Sequence, residues 1–255
     1  MVKNTQISVQ TITDQHLTDF IRCPYRFYYT HIEKKKHPFG WRQAIQHVVN
    51  RVVYSYYQYP LGHRTPAKVL ALIEKYWSKL ELRMFDNKLQ FYMAAAAITD
   101  GLMKNLSSDS NVEQPLFLYE KFSLNVKEVD ADLSLTFDVA EWENSSFIVK
   151  KYLVDADEQM LKLYFHLIVI FSEKVFGIRP ERIEVITLMD GQKHIFTPDE
   201  YSLENGISYL QLMKNLIEDS QRMTELYNTN ECPSCPFLEV CEKDEQTDKK
   251  NKYLS

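Results

Sequence analysis

No stretch of this sequence is apolar for long enough to cross a membrane. The run at 161–171, LKLYFHLIVIF, falls short of the ~20 residues a spanning helix needs and reads as a buried helix. The opening residues, MVKNTQISVQ, lack the apolar core of a secretory signal, so a reducing, cytoplasmic setting is expected. Positive charge is not in excess: 30 Lys and Arg against 35 Asp and Glu leave a net charge of −5. This argues against wholesale coating of nucleic acid and leaves room for a local basic groove. No internal repeat or low-complexity segment is visible. What remains is a soluble globular chain of 255 residues, 45% hydrophobic and 25% charged, long enough for one large or two small domains. Its sixteen Tyr and fourteen Phe are mostly core, with some available to stack on bases.

Cysteine is scarce and unevenly placed. Cys23 stands near the start, and Cys232, Cys235 and Cys241 crowd the end as C-x2-C-x5-C, interleaved with Pro24, Pro233 and Pro236. Short C-x2-C spacing lets two thiolates reach one centre. Four thiolates suit zinc or an iron–sulfur cluster, and structural disulfides are rare in a reducing compartment. One site built from both ends of the chain would close a loop of most of its length, worth about 5 kcal/mol at most. Losing the metal should then loosen the whole fold.

Helical periodicity runs through 14–32, with Asp14 as N-cap and a break at Cys23-Pro24 that divides it into two short helices. Lys34-Lys35-Lys36-His37-Pro38 is a basic loop, read as a solvated turn or a phosphate contact. Further helices are predicted over 40–58, 66–82 and 86–106, then a polar linker at 107–114. The period then changes to alternation. Strands are expected over 116–126, 133–142 and 147–154, the last two joined by the turn Glu143-Asn144-Ser145. An apolar helix over 157–176 stops at Gly177. A strand at 182–189 turns at Asp190-Gly191 into a short partner around 194–196. Thr197-Pro198-Asp199-Glu200 reads as a capping box opening a last helix to about residue 227.

With Leu17-x5-Cys23-Pro24-x2-Phe27 at one end and C-x2-C-x5-C at the other, the chain resembles the iron–sulfur, RecB-like branch of the PD-(D/E)XK nucleases. That branch includes CRISPR-adaptation exonucleases and the nuclease domain of AddB helicase–nucleases. The resemblance implies an α/β fold: a restriction-endonuclease-like core of a small mixed sheet flanked by helices. A helical region at 14–106, a sheet core at 115–196 and a C-terminal helix with the cysteine triplet at 197–241 would form a single domain over 1–245. Residues 246–255 would be a flexible tail. It implies a 4Fe–4S cluster on Cys23, Cys232, Cys235 and Cys241, with zinc as the alternative.

It also implies a nuclease site with a helix histidine, a strand aspartate, a D/E-x-K strand and a Q-x3-Y helix. His47 fits the histidine, although Gln43 replaces the glycine often found four residues earlier. Asp138, in Thr136-Phe137-Asp138, fits the aspartate. The D/E-x-K strand is where the match breaks. In Phe147-Ile148-Val149-Lys150-Lys151-Tyr152, one register puts Lys150 at the acid and Tyr152 at the lysine; sliding by one puts Val149 at the acid and Lys151 at the lysine. Tyr164 fits the helix tyrosine; Met160 takes the glutamine position, with Gln159 beside it. Lys150 is expected to pair with Asp138 rather than admit Mg²⁺ or Mn²⁺, which take hard oxygen ligands. Glu120, Glu141 and Asp155 are carboxylates that could substitute. A lysine facing the old metal position could touch phosphate, and Arg22, Arg26, Arg42 and Arg51 could extend a groove.

The reading expected is an iron–sulfur nuclease-fold protein with an inactivated metal site. It would bind DNA, or act as a structural subunit beside a helicase or nuclease in DNA processing, away from any membrane. The alternatives are an active Mg²⁺- or Mn²⁺-dependent DNA exonuclease with relocated ligands, and a zinc-stabilised protein-interaction module.

Overall fold

The computed structural model describes residues 10–37, 40–108, 114–143, 145–219, 232 and 235–241. The fold is mixed α/β: a six-stranded mixed sheet flanked by helices. The sheet runs β1 (Thr11–Thr13), β3 (Ala131–Glu143), β4 (Ser146–Leu153), β5 (Arg182–Thr187) and β6 (Gln192–Phe196), with β2 (Phe117–Val126) also paired to β3. The helices are α1 (Asp14–Arg22), α2 (Pro24–Phe27), α3 (Trp41–Tyr57), α4 (Pro66–Trp77), α5 (Lys88–Ser108), α6 (Glu158–Phe171) and α7 (Ser202–Glu218). Among the described residues no helix is long and apolar enough to cross a membrane. The chain divides into two compact units, one of Met1–Pro38, Ser123–Ser134 and Asn205–Ser255, the other of Phe39–Phe122 and Leu135–Glu204.

In the first unit, β1 lies parallel to the start of β3, with Ile12 opposite Leu133. This three-residue strand has no counterpart in the periodicity. Thr13, not the expected Asp14, caps α1: its hydroxyl accepts from the His16 N–H at 3.1 Å. Asp14 instead accepts from the next residue, Gln15. The helix stops at Cys23, which is extended (φ −166°) because Pro24 follows and crowds the helical region. Pro24 then occupies the first turn of α2, where its missing N–H costs nothing. Lys214 on α7 donates to the carbonyls of Val129 (3.1 Å) and Asp130 (2.7 Å), clasping the turn between β2 and β3. The last helix starts at Ser202, later than the capping box suggests. In the turn before it, Asp199 accepts from the Tyr201 N–H and the Ser202 hydroxyl. The expected continuation to 227, the turn residue Asn144, most of the 107–114 linker and the 246–255 tail lie outside the described residues.

In the second unit, α3 buries a stripe of Ala44, Ile45, Val48, Val49, Val52 and Val53 at helical spacing. β-Branched residues are mediocre helix formers, so packing rather than propensity holds this helix. The stripe shares one core with α4, α5 and the sheet residues Val139, Tyr152, Val154, Ile186 and Leu188. α5 comes so close to Leu188 that a Cβ on Gly101 would lie 2.8 Å from its Cδ2. Alternate residues of β4 face opposite ways. Lys150 and Tyr152 point to the α3 side, while Lys151 points to Tyr164 of α6. α6 makes the crossover between the parallel strands β4 and β5 and ends through a π-turn at Gly177, whose φ of +68° suits glycine.

Candidate functional site

Asp138 is buried (4% exposed) in the second unit, and both its carboxylate oxygens are engaged. Lys151 Nζ lies 2.8 Å from Oδ1, and the Tyr152 backbone N–H donates to Oδ2 at 3.0 Å. The same ammonium donates to the Thr136 carbonyl at 3.3 Å and sits 4.8 Å over the Tyr164 ring. The sheet therefore brings Asp138, Lys151, Tyr152 and Tyr164 together.

The partner of Asp138 is Lys151, not Lys150 as the sequence register suggested. Pairing of Val139 with Lys150 turns the Lys150 side chain to the α3 side of the sheet. There its ammonium meets Glu141 at 2.7 Å, and Glu141 also accepts from the Tyr57 hydroxyl at 2.8 Å. Both ion pairs are nearly closed to solvent. Buried charges persist when paired and hydrogen-bonded in this way.

The other candidates lie apart from this pair. His47 is exposed and lines a groove between α3 and α4. Its neighbour Gln46 faces the sheet instead: its amide donates to the Tyr152 carbonyl at 2.8 Å and accepts from the Val154 N–H at 2.9 Å. Glu120 is exposed. Asp155 is taken by Arg42 at 2.6 Å. Among the described residues no three His, Cys, Asp or Glu side chains are grouped to hold a metal ion. A single carboxylate with both oxygens engaged and an ammonium at one of them does not suit Mg²⁺ or Mn²⁺.

Tyr119 is a member of this site that the alternating pattern of β2 conceals. Its backbone has φ +51°, a strained value for a bulky residue. Its hydroxyl titrates well above the ordinary tyrosine range, because burial disfavours the phenolate and Asp138 and Tyr152 add to this. It therefore stays a neutral donor, directed at Asn50 Oδ1 at 3.5 Å.

The cysteines belong to the first unit. None of the four is in a disulfide; Cys23 and Cys241 are buried, and Cys232 and Cys235 are half-buried. The Cys235 N–H donates to the Cys232 carbonyl at 3.0 Å, and the Cys241 N–H to that of Phe237 at 2.9 Å. Phe237 packs on Tyr29 and His37, with ring centroids 5.4 and 5.0 Å away, tying this segment to the chain that follows Cys23. Burial pushes the Cys235 thiol up; the Phe237 N–H opposes this, Cys23 reinforces it, Arg26 opposes it and Cys232 reinforces it. Arg26 is held there by the buried Asp19 at 3.0 Å, which also binds His31 at 2.9 Å. In the basic loop, Lys35 pairs with Glu33 at 2.7 Å and stacks over Tyr29; Pro38 lies outside the described residues.

No protein-family model and no curated protein matches this chain. Among solved structures, a "Putative exonuclease" from Eubacterium rectale is similar over 83% of this chain and 82% of its own, at 8% identity and a TM-score of 0.49. The crystal structure of SSO0001 is similar over 92% and 87%, at 13% identity and a TM-score of 0.42. Neither likeness is close enough to transfer a residue role.

Proposed function

We propose that this chain is an iron–sulfur, nuclease-fold protein that binds DNA, or supports a helicase or nuclease partner, without cutting DNA itself. The observation that carries the reading is the Lys151–Asp138 pair: the one strand aspartate that matches the nuclease pattern is neutralised by the adjacent strand's lysine. Hydrolysis of a phosphodiester in such a site would need a divalent ion to generate a nucleophile and to stabilise charge on the phosphate. Here the ammonium occupies the carboxylate, and Glu141 is committed to Lys150 and Tyr57.

Cys23, Cys232, Cys235 and Cys241 are the donors that would hold a 4Fe–4S cluster. Their membership of one compact unit and the influence of Cys23 and Cys232 on the Cys235 thiol support this. The cluster would supply a cross-link between the two ends of the chain.

The test uses full-length protein purified without oxygen. Expected are a brown colour with iron and sulfide content, salt-dependent DNA binding and no Mn²⁺-dependent cleavage. Cleavage that is lost in Asp138→Ala would establish an active nuclease instead. A colourless protein carrying one zinc would establish the zinc-stabilised module.

A further inference from the structure

In the second unit, α3, the end of α4 and the turn Leu82–Met84 line an open cavity of about 550 Å³, the groove that His47 borders. That is the size of a small-ligand pocket. Its floor is apolar: Ala44, Val48, Leu80 and Met84. Its rim carries His47 and Arg51, one turn apart on α3, and Lys79 on the facing segment after α4. Among the described residues, no acidic side chain lines it.

Among the described residues, neither Arg51 nor His47 has an ionic or hydrogen-bonded partner. Lys79 has only the Tyr76 ring, 5.5 Å from its ammonium. Tyr76 is itself oriented by a 2.8 Å hydrogen bond to the Ser55 hydroxyl. Several other cations in this unit are matched with carboxylates: Arg42 with Asp155, Lys150 with Glu141, Lys151 with Asp138 and Arg182 with Glu184. Unmatched cations around an apolar floor complement a ligand with one anionic head and a flat apolar body.

We infer that this cavity binds a nucleoside monophosphate unit, free or at the 5′ end of a single strand. Its base would lie against Val48, Leu80 and Met84, and its phosphate would meet Arg51 and Lys79. The cavity is separate from the Asp138 pair, and the inference stands whether or not the chain binds DNA along its length.

The test is calorimetric titration of the full-length protein with adenosine 5′-monophosphate at low salt. Saturable one-to-one binding is expected. Adenosine and inorganic phosphate should each bind at least about tenfold more weakly, since each supplies half of the ligand. The exposed pair Arg51→Met with Lys79→Met should weaken binding about tenfold or more without changing the melting temperature. Met84→Glu, which adds a repelling carboxylate at the floor, should do the same. Lys88→Met with Lys121→Met removes the same two charges at exposed positions outside the lining and should change affinity less than about twofold. Displacement by a 5′-phosphorylated oligonucleotide, but not by its dephosphorylated form, would identify the strand end as the source. No displacement by either would identify the free nucleotide. The inference is overturned by absence of saturable binding to the folded protein, by phosphate alone matching the nucleotide, or by unchanged affinity in the Arg51→Met/Lys79→Met protein.

Discussion

The Lys151 ammonium lies 2.8 Å from Asp138 Oδ1 in a setting closed to water, with the Tyr164 ring beneath it. Such a pair adds little against an apolar replacement, but losing one partner is costly because the other is left charged and buried. Lys151→Met should therefore destabilise the protein by about 3–5 kcal/mol in urea unfolding. Adding Asp138→Leu should recover most of the loss. If the double variant is as unstable as the single, the cost lies in packing rather than in the stranded carboxylate.

Val149 faces the same side of β4 as Lys151 and stands opposite Ala140, two residues from Asp138 on β3. Val149→Asp would create the D-x-K spacing with Lys151 and set a second carboxylate diagonal to Asp138, within reach across the strands. Buried without a counter-ion, it should lower the melting temperature. Millimolar Mn²⁺ should restore part of that loss, while leaving the wild-type melt unchanged. Equal response of both proteins to Mn²⁺ would mean that the ion binds elsewhere.

Gly101 sits in the middle of α5, where alanine would ordinarily gain about 1 kcal/mol from helix propensity. Here the added Cβ would meet Leu188 Cδ2 at 2.8 Å and the Leu188 carbonyl at 3.3 Å. The first contact yields by a side-chain shift; the second involves backbone and does not. Gly101→Ala should destabilise by about 1–3 kcal/mol. Thermal unfolding read beside Gly62→Ala, where nothing lies within 4 Å, separates crowding from propensity.

His166 on α6 titrates below the ordinary histidine value, because burial disfavours its charged form and Lys162 repels it. The unfolded chain therefore takes up a proton near pH 6.5 that the folded state resists. Stability from this group is complete above that pH and is lost as pH falls below it. The melting temperature should drop as pH falls below 6.5, and less steeply in His166→Gln. Identical pH profiles would remove His166 as the cause.

Much of this fold is legible in the sequence because helix and strand periods differ. The valine stripe of α3, the Cys23-Pro24 break and the Gly177 stop all stand where pattern and backbone chemistry place them. β1 is too short to show a period; it exists because β3 offers it an edge. At the site, Asp138, Lys151 and Tyr164 are individually visible, but the choice between Lys150 and Lys151 is not. That choice is made by the register between β3 and β4, with Val139 opposite Lys150. His47 shows the same limit on a helix: it and Gln46 differ by about 100° around the axis, and the side chain that reaches the sheet is the glutamine. Nothing in the alternation of β2 announces the left-handed backbone of Tyr119.

The two lysines of β4 also make the sheet register depend on charge. Each is matched to a carboxylate on its own side of the sheet. A slip of one residue would carry Lys150 to Asp138, Val149 to Glu141 and Lys151 into the apolar place of Tyr152. Glu141 would then lack its counter-ion and Lys151 would lie in an apolar place, so a misaligned sheet carries a buried-charge cost that the native register avoids.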